Sequence, residues 1–455
     1  MSGAPAATRP QLHDEVEVTI DTLAHGGAGV GRLDGYVLFV RDAVPGDRVR
    51  AVVTKRKRAY GEARTVAVLE PSPERIPATA EHPGAPWQVL PYERQLEIKA
   101  EQVEDALRRI GKLDGFAVEP IVPAEETWRY RNKVEFSFGT AEDGRLVLGF
   151  HAPGSWETIV ETPDFLLASD RVNAARDAVL AFCREEGLEA WDRRTQVGFL
   201  RNLIIREGRR TGQLQIRLVT SEGTLDADAL TSGSDPVLKD AGLFWTQAAG
   251  VAETTHGGYT EHLAGPPQLE EELGGLRFAI SPDAFFQTNT EMAEKLYAIA
   301  AEYAGLQGRE RVFDLYCGIG TIGLSLAVRA GEVWGVEIVE HAAADAIANA
   351  KRNEIANAQF FAGDVRLAMR DLVEQAGRPD VLVVDPPRAG LSQKIVRRVI
   401  EANPKRIVYV SCNPTTLAPN AAQLAEAGYV LKRVRPVDMF PQTHHVECVA
   451  LLERA

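Results

Sequence analysis

The chain changes its hydrophobic rhythm as it runs. From residue 12 to about 70, apolar and polar positions alternate with a period of two, as in Glu15-Val-Glu-Val-Thr-Ile20, Tyr36-Val-Leu-Phe-Val40, Arg48-Val-Arg-Ala-Val-Val53 and Thr65-Val-Ala-Val-Leu69. Glycine-rich turn signals separate these runs at His25 to Gly31, Asp34-Gly35 and Pro45-Gly-Asp47. Short strands so closely spaced predict a small barrel of the oligonucleotide-binding type. A proline-rich joint, Glu70 to Pro77, closes it. Leu96, Val103, Leu107 and Ile110 then follow helical spacing and predict a helix over about 92–111, ended by Gly111. From about 121 to 275 strands (133–138, 203–205, 214–219) mix with a helix near 170–186. Residue types alone single out no chemistry there.

From 276 onward apolar strands alternate with helical segments. Val312 to Leu315, Val333 to Glu337, Gln359 to Phe361, Val381 to Val384 and Ile407 to Val410 read as strands of a parallel, doubly wound α/β sheet. Tyr429 to Val434 and Val446 to Leu452 add two more. The predicted organisation is thus a β-barrel over 10–70, a central α+β domain over 71–275 and a doubly wound domain over 276–455, on which the helix near 92–111 is expected to pack.

The chemistry sits at the ends of those strands, where open α/β sheets hold their ligands. Cys412, in Ser411-Cys-Asn-Pro-Thr-Thr416, lies where a strand opens into a loop and is a candidate nucleophile. A lone cysteine there is more often a small buried apolar group, and only the neighbouring motifs reverse that reading. Cys317-Gly318-Ile-Gly320-Thr-Ile-Gly323 is formally G-x-G-x-x-G, and Glu337 ends the next strand, where a ribose-binding acid belongs. Alone, this fits a dinucleotide or S-adenosyl-L-methionine. Asp314 would repel a pyrophosphate but suits a cationic amine, and Asp385-Pro-Pro-Arg388 sits where a transferred methyl group would meet its acceptor. Both favour the methyl donor. Asp364 ends the third strand, at the position for adenine contact. Gln287 belongs to an aromatic and amide cluster over 280–289, and Glu447 enters an apolar strand, where burial raises a carboxyl toward the range of a base. His444 and His445 lack partners at metal spacing, so no metal site is expected.

Composition adjusts this picture at two points. A net charge of −13 argues against a protein that coats nucleic acid, yet residues 41 to 64 carry eight basic residues against three acidic ones. That patch, with Tyr36, Phe39 and Tyr60 nearby, suits single-stranded RNA, although the aromatics equally suit a core. Four dispersed cysteines, no apolar run of membrane length and no apolar leader in residues 1–10 predict a reduced, cytoplasmic chain with no membrane contact.

Taken together, Gln287 in its Ser-Pro-Asp-Ala-Phe-Phe-Gln segment, Asp314 to Gly320, Asp385-Pro-Pro-Arg388, Ser411-Cys-Asn-Pro414 and His445-Val-Glu447 resemble the motifs of the RNA uracil-5-methyltransferases. These enzymes use S-adenosyl-L-methionine to make 5-methyluridine in ribosomal and transfer RNA. The first section resembles their TRAM domain, and the resemblance spans nearly the whole chain. It implies a class I methyltransferase domain, Cys412 as the nucleophile that adds to uracil C6, and Glu447 as the base that removes the C5 proton. It places Gln287, Tyr316, Thr321, Glu337, Asp364 and Asp385 on cofactor-binding positions, with Thr321 standing where a relative has Asn.

The implied partner is RNA, ribosomal (23S) ahead of transfer RNA because some transfer-RNA members lack the barrel; the implied state is a monomer. One departure matters. Where many members ligate a 4Fe–4S cluster, this chain has Glu81-His-Pro-Gly-Ala-Pro-Trp-Gln88, and no cysteine precedes Cys183, so no iron–sulfur cluster is expected. The rivals are a nitrogen-directed methyltransferase, which needs no cysteine, and a non-catalytic RNA-binding protein that keeps a cofactor pocket. A dehydrogenase is remote.

Overall fold

The structure is a computed structural model that describes residues 9–152, 154–232, 235–250 and 258–455. Residues 1–8, most of the segment without an apolar leader, lie outside the described residues. Five strands, β1 (Glu15–Leu23), β2 (Gly29–Leu33), β3 (Tyr36–Arg41), β4 (Arg48–Arg56) and β5 (Tyr60–Glu70), close in the order β1-β2-β3-β5-β4, with β4 paired back onto β1. Alternate side chains, among them Val18, Ile20, Leu38, Val40, Val49 and Ala51, fill the barrel. Strand β2 lies where the sequence predicts part of a turn. A Cβ on Gly31 would stand 2.5 Å from Thr19 O, so this glycine is what lets β2 close on β1 rather than what breaks the strand. Tyr36 is also corrected: it is 7% exposed and belongs to the barrel core, its hydroxyl donating to Lys57 O at 2.8 Å. Phe39 and Tyr60 stay partly exposed.

Helix α1 (Tyr92–Asp105) runs into one π-helical turn, Ala106–Ile110, before Gly111. There follow β6 (Ala117–Val118), β7 (Lys133–Thr140), β8 (Leu146–His151), β9 (Ile159–Glu161), α2 (Asp170–Glu185), β10 (Leu200–Glu207), β11 (Leu214–Thr220), the short helices α3 (Ala227–Ser232) and α4 (Pro236–Lys239), β12 (Gly242–Gln247) and β13 (Tyr259–Ala264). Seven strands form one sheet in the order β13-β12-β11-β10-β7-β8-β9, and α2 buries Val172, Ala175 and Val179 against it.

The last section is β14 (Leu269–Leu273), β15 (Leu276–Ile280), α5 (Thr290–Ala304), β16 (Arg311–Leu315), α6 (Thr321–Ala327), β17 (Glu332–Glu337), α7 (Glu340–Arg352), β18 (Ala358–Ala362), α8 (Val365–Ala376), β19 (Val381–Val384), α9 (Gln393–Ala402), β20 (Arg406–Ser411), α10 (Pro414–Glu426), β21 (Tyr429–Val437) and β22 (Glu447–Arg454). Its sheet has the order β18-β17-β16-β19-β20-β22-β21-β6. Strands β16 to β20 are mutually parallel, as their apolar runs predict, but β22 runs antiparallel between β20 and β21. The sheet is therefore mixed: β21 and β22 are joined by a nonhelical strap, and antiparallel neighbours need no crossover helix. Helices α5, α6 and α7 cover one face; α8, α9, α10 and the end of the first helix cover the other. The β14–β15 hairpin straddles the expected boundary at 275/276, and its Leu269, Leu273, Phe278 and Ile280 join the core of this sheet.

The strap between β21 and β22 is held from outside its own section. Lys99 of α1 donates to Asp438 Oδ1 at 2.6 Å and to Phe440 O at 3.1 Å, with both charged side chains fully buried. Gln95 and Gln442 exchange two hydrogen bonds, and Tyr130 and Asn289 donate to Pro441 O and Met439 O. Burial pulls the Lys99 ammonium below its ordinary value while Asp438 opposes that shift. Breaking such a pair strands the remaining charge, so Lys99→Met is expected to cost about 3–5 kcal/mol of stability, read as a lower denaturation midpoint. Lys99→Met with Asp438→Leu should recover most of it, and equal loss in both variants would contradict this account.

Candidate functional site

The chain winds from β16 outward through β17 to β18, then returns to β19 on the other side of β16. This reversal opens a crevice at the carboxyl ends of β16 and β19. On one side the loop after β16 carries Tyr316, whose φ of +65° is unusual for a residue with a side chain, and Gly318 and Gly320 at +54° and +85°. A Cβ on Gly318 would meet nothing within 4 Å, so the backbone there faces open space that a ligand can approach.

The loop is pinned from below. Asp314 is fully buried and accepts from Gly323 N at 2.8 Å through Oδ2, while Oδ1 is buried with no hydrogen-bond partner. Burial pushes this carboxyl up to about 8, with Asp385 and Glu337 adding to the shift. It is thus the floor of the loop. Glu337, at the end of β17, accepts from Gly318 N at 3.0 Å and Val339 N at 2.9 Å. A carboxylate offers about four acceptor positions, so it can take hydroxyl donors in addition. Tyr316 lies near both Glu337 and Asp364, and burial followed by those two carboxylates raises its phenol to about 12. Of Asp364 and its neighbours, the carboxylate is already engaged: it caps α8 through Arg366 N and is forked by the Arg366 guanidinium, which holds it below the ordinary carboxylate range. That leaves its neighbours to face a purine. Thr321 opens α6 and donates to the Tyr297 hydroxyl at 3.3 Å. Gln287 is buried, and its carbonyl accepts from Asn132 of the central section at 2.8 Å. The donor set fits an adenosyl group: a carboxylate on Glu337 with acceptor positions to spare beside an open glycine turn.

On the other side stand Asp385, Cys412 and Glu447. The β20–β22 ladder pairs Ser411 with Cys448, so the next step along the antiparallel register sets Cys412 opposite Glu447. Asn413 Nδ2 and Thr416 Oγ1 both donate to Arg388 O, tying this loop to Asp385-Pro-Pro-Arg388. Asn413 also caps α10 through Thr415 N. Burial, then the Glu447 and Asp385 carboxylates, push the Cys412 thiol up to about 12, with Arg388 pulling the other way. Glu447, 4% exposed, is pushed well above the usual carboxylate range by burial and by Asp385; Asp385 itself rises to about 7. A thiol and two carboxyls held above their ordinary values therefore stand within one another's fields at the ends of β19, β20 and β22.

Two parts of this arrangement were not visible in sequence. Tyr297, buried in α5 between Thr321, Asp385, Asp314 and Glu447, reads from its spacing as an ordinary core aromatic. His25 of the β1–β2 loop lies near Asn413 with both ring nitrogens buried and without a hydrogen-bond partner, an approach across nearly the whole chain that no local pattern announces. Among the described residues no group of three or more His, Cys, Asp or Glu is arranged to hold a metal ion, and no helix is long and apolar enough to cross a membrane. In the 81–88 segment, His82 stacks on Phe165 with centroids 4.8 Å apart.

Asp314 and Asp385 also set a pH dependence. Each keeps its proton in the folded state to a higher pH than in the unfolded chain, where the carboxyl titrates near 3.8. Stability contributed by these groups is complete below about 4 and is lost as pH rises through about 7 to 8. The denaturation midpoint of Asp314→Asn should fall less steeply than that of the parent between pH 5 and 8; an unchanged slope would place the effect elsewhere.

The chain is similar to known proteins over nearly its whole length. A family described as tRNA (Uracil-5-)-methyltransferase matches residues 273–455, and a TRAM domain matches residues 11–66. An RNA methyltransferase of Halalkalibacterium halodurans is 39% identical over 448 residues, covering 97% of each chain. One of Bacteroides thetaiotaomicron is 40% identical over 454 residues, covering 95% of this chain and 100% of the relative. Among solved structures, the tRNA (uracil-54, C5)-methyltransferase of Pyrococcus abyssi in complex with S-adenosyl-L-homocysteine superposes with a TM-score of 0.77 at 30% identity, covering 96% of this chain and 100% of that one.

Proposed function

The chain belongs to the RNA uracil-5-methyltransferase family of S-adenosyl-L-methionine-dependent enzymes, and from that premise we propose that it methylates C5 of a uridine through a covalent bond between Cys412 Sγ and uracil C6. The observation that carries this reading is the β20–β22 ladder, whose last pair, Ser411 with Cys448, leaves Cys412 and Glu447 as the next residues out and within one another's fields, beside the Asp385 loop.

Uracil C5 is a poor nucleophile on its own. When Cys412 Sγ bonds to C6, the electrons of the C5–C6 double bond move toward C5 and the O4 enolate, and the thiol proton passes to Asp385, ionised by the positive charge beside it, which leaves Glu447 unprotonated for the later step. C5 then takes the methyl group as the methyl–sulfur bond breaks, its electron pair staying on the sulfur of the departing S-adenosyl-L-homocysteine. Glu447 removes the C5 proton, the C5–C6 double bond re-forms, and the C6–S bond breaks to release Cys412. When bound, S-adenosyl-L-methionine supplies an electrophilic methyl on a positive sulfur. Glu337 holds ribose hydroxyls, the Gly318–Gly320 turn accommodates the backbone approach, and Gln287, Tyr316, Thr321, Asp364 and Asp385 line the rest. A positive charge beside Asp385 and Glu447 favours their ionised forms, which readies the base when the donor is present. Arg388 does the same for the thiolate.

The target uridine must be unstacked to meet Sγ. Ribosomal RNA is the target class that the barrel favours in the sequence-based reading. The P. abyssi transfer-RNA enzyme, however, matches over a span that includes the barrel, so the barrel does not separate the two classes. The protein is read as a cytoplasmic monomer. Incubation with methyl-labelled S-adenosyl-L-methionine and RNA lacking 5-methyluridine should return the label as 5-methyluridine, in either the ribosomal or the transfer fraction. Label on a base nitrogen would promote the nitrogen-directed reading, and binding without label would leave an RNA-binding protein.

A further inference from the structure

A recess of about 1040 Å³ lies outside the crevice described above, between the barrel and the chain that follows it. Its barrel wall is the pair Phe39 and Tyr60, rings edge to face with centroids 5.4 Å apart and both partly exposed. Arg41 stands exposed on the same wall beside Asp42 and Glu62, whose carboxylates also line the recess, Glu62 neutralised by Lys55 at 2.7 Å, and buried Trp87 completes the lining. The opposite side is His444, from the strap that leads to Glu447. The β1–β2 loop bridges the two: a Cβ on Gly27 would lie 2.9 Å from His444, so this glycine is required by close approach as well as by its φ of +85°. His25 of that loop lies beside Asn413, and His444 lies within the field of Arg388. The recess thus ends against the two loops that hold Cys412 and Asp385.

We propose that this recess binds an unstacked base of the RNA strand adjoining the target uridine. The proposal rests on the reading of Cys412 as the centre that meets that uridine. Moving a uridine out of its stack exposes the faces of its neighbours, and a displaced strand recovers stacking on any aromatic side chain that is free to receive it. Phe39 and Tyr60 offer ring surface, and a glycine loop lets the sugar–phosphate chain pass close to the backbone. Burial keeps His25 below its ordinary value and His444 at about 4, so both imidazoles are uncharged planar rings at neutral pH. Outside the recess the exposed hairpin Lys55-Arg-Lys-Arg58 supplies positive charge for the phosphates leading in. Aromatic walls, neutral imidazoles and a basic approach suit a nucleobase on a polyanion better than a peptide, and continuity with the Cys412 loop fixes which stretch of RNA reaches it.

The test uses the full chain and a fluorescein-labelled, unstructured RNA of about twelve nucleotides, followed by anisotropy. Replacing both rings with Phe39→Leu and Tyr60→Leu is expected to raise Kd by about tenfold or more, because base stacking on one aromatic is worth about that factor. Affinity for S-adenosyl-L-homocysteine, measured on the same variant, should be unchanged and reports that the doubly wound domain is intact, while an unchanged denaturation midpoint reports the same of the barrel. Exchanging the rings, Phe39→Tyr with Tyr60→Phe, should restore RNA binding. Equal RNA affinity in parent and leucine variant overturns the proposal, as does failure of the parent to bind this RNA at low salt. Loss of binding in the leucine variant of a parent that methylates no RNA would keep the recess and discard the uridine reaction.

Discussion

Cys412→Ala should lose methyl transfer by about four orders of magnitude or more while still binding S-adenosyl-L-homocysteine within about threefold of the parent. The asymmetry follows from position. Cys412 lies at the end of β20 on the acceptor side of the crevice, whereas Glu337 and the glycine turn lie across the switch point at the ends of β16 and β17. Without a nucleophile at C6, C5 has no carbanion character, and the remaining residues supply positioning alone. Single-turnover transfer and calorimetric binding, measured on the same preparation, check both halves. Transfer undiminished in Cys412→Ala would rule out the covalent route.

Glu447→Gln is expected to behave differently from Cys412→Ala, and the difference is more informative than either loss. Glutamine keeps the shape and hydrogen-bonding capacity of the side chain at the start of β22 but cannot take a proton. Addition at C6 and methyl transfer should proceed, and the reaction should then stop with the C5 proton in place and RNA still joined to Cys412. Turnover falls by about two to four orders of magnitude, the range for loss of a general base. A protein–RNA band stable to denaturation should accumulate in the presence of the methyl donor. Loss of turnover without such a band would move Glu447 from the proton-removal step to a preceding one.

The parts of the fold that could be read from sequence are those in which one strand reports its own surroundings. Four of the parallel strands, β16, β17, β19 and β20, are buried along most of their length, so each is a short apolar run, while β18 at the sheet edge keeps only Phe360 buried. Those four lead directly into the site, with Leu315 before the glycine turn, Glu337 at its strand end, Val384 before Asp385 and Ser411 before Cys412. Strand β2 hid because two of its five residues are glycines needed for close approach, and the same residues elsewhere mark turns. The antiparallel placement of β22 was not legible either, because an apolar run carries no direction. Tyr36 shows the limit of composition: one tyrosine in a barrel strand suits a core and an RNA surface equally, and only the inward side of the pleat decides.

The candidate site was legible as a set of motifs but not as an assembly. Cys412 and Glu447 lie 35 positions apart, and it is the β20–β22 register that makes them neighbours. Asp314, expected from its position to face an amine, turns out to be buried beneath the loop with one oxygen on Gly323 N. Asp364 spends its carboxylate on a helix cap and Arg366. The contributions of Lys99, Gln95 and Tyr130 to the strap come from elements hundreds of residues away and have no local signature.

The most direct test of the covalent account replaces the C5 hydrogen of the target with fluorine. RNA transcribed with 5-fluorouridine gives Glu447 nothing to remove after methyl transfer, so each turnover should end with the RNA bonded to the enzyme. Mass spectrometry of the parent protein, incubated with this RNA and S-adenosyl-L-methionine, should find the peptide containing Cys412 carrying a methylated fluorouridine adduct, absent when the donor is S-adenosyl-L-homocysteine. Methylation of the ordinary RNA without any adduct to the fluorinated one would contradict attack by Cys412 at C6.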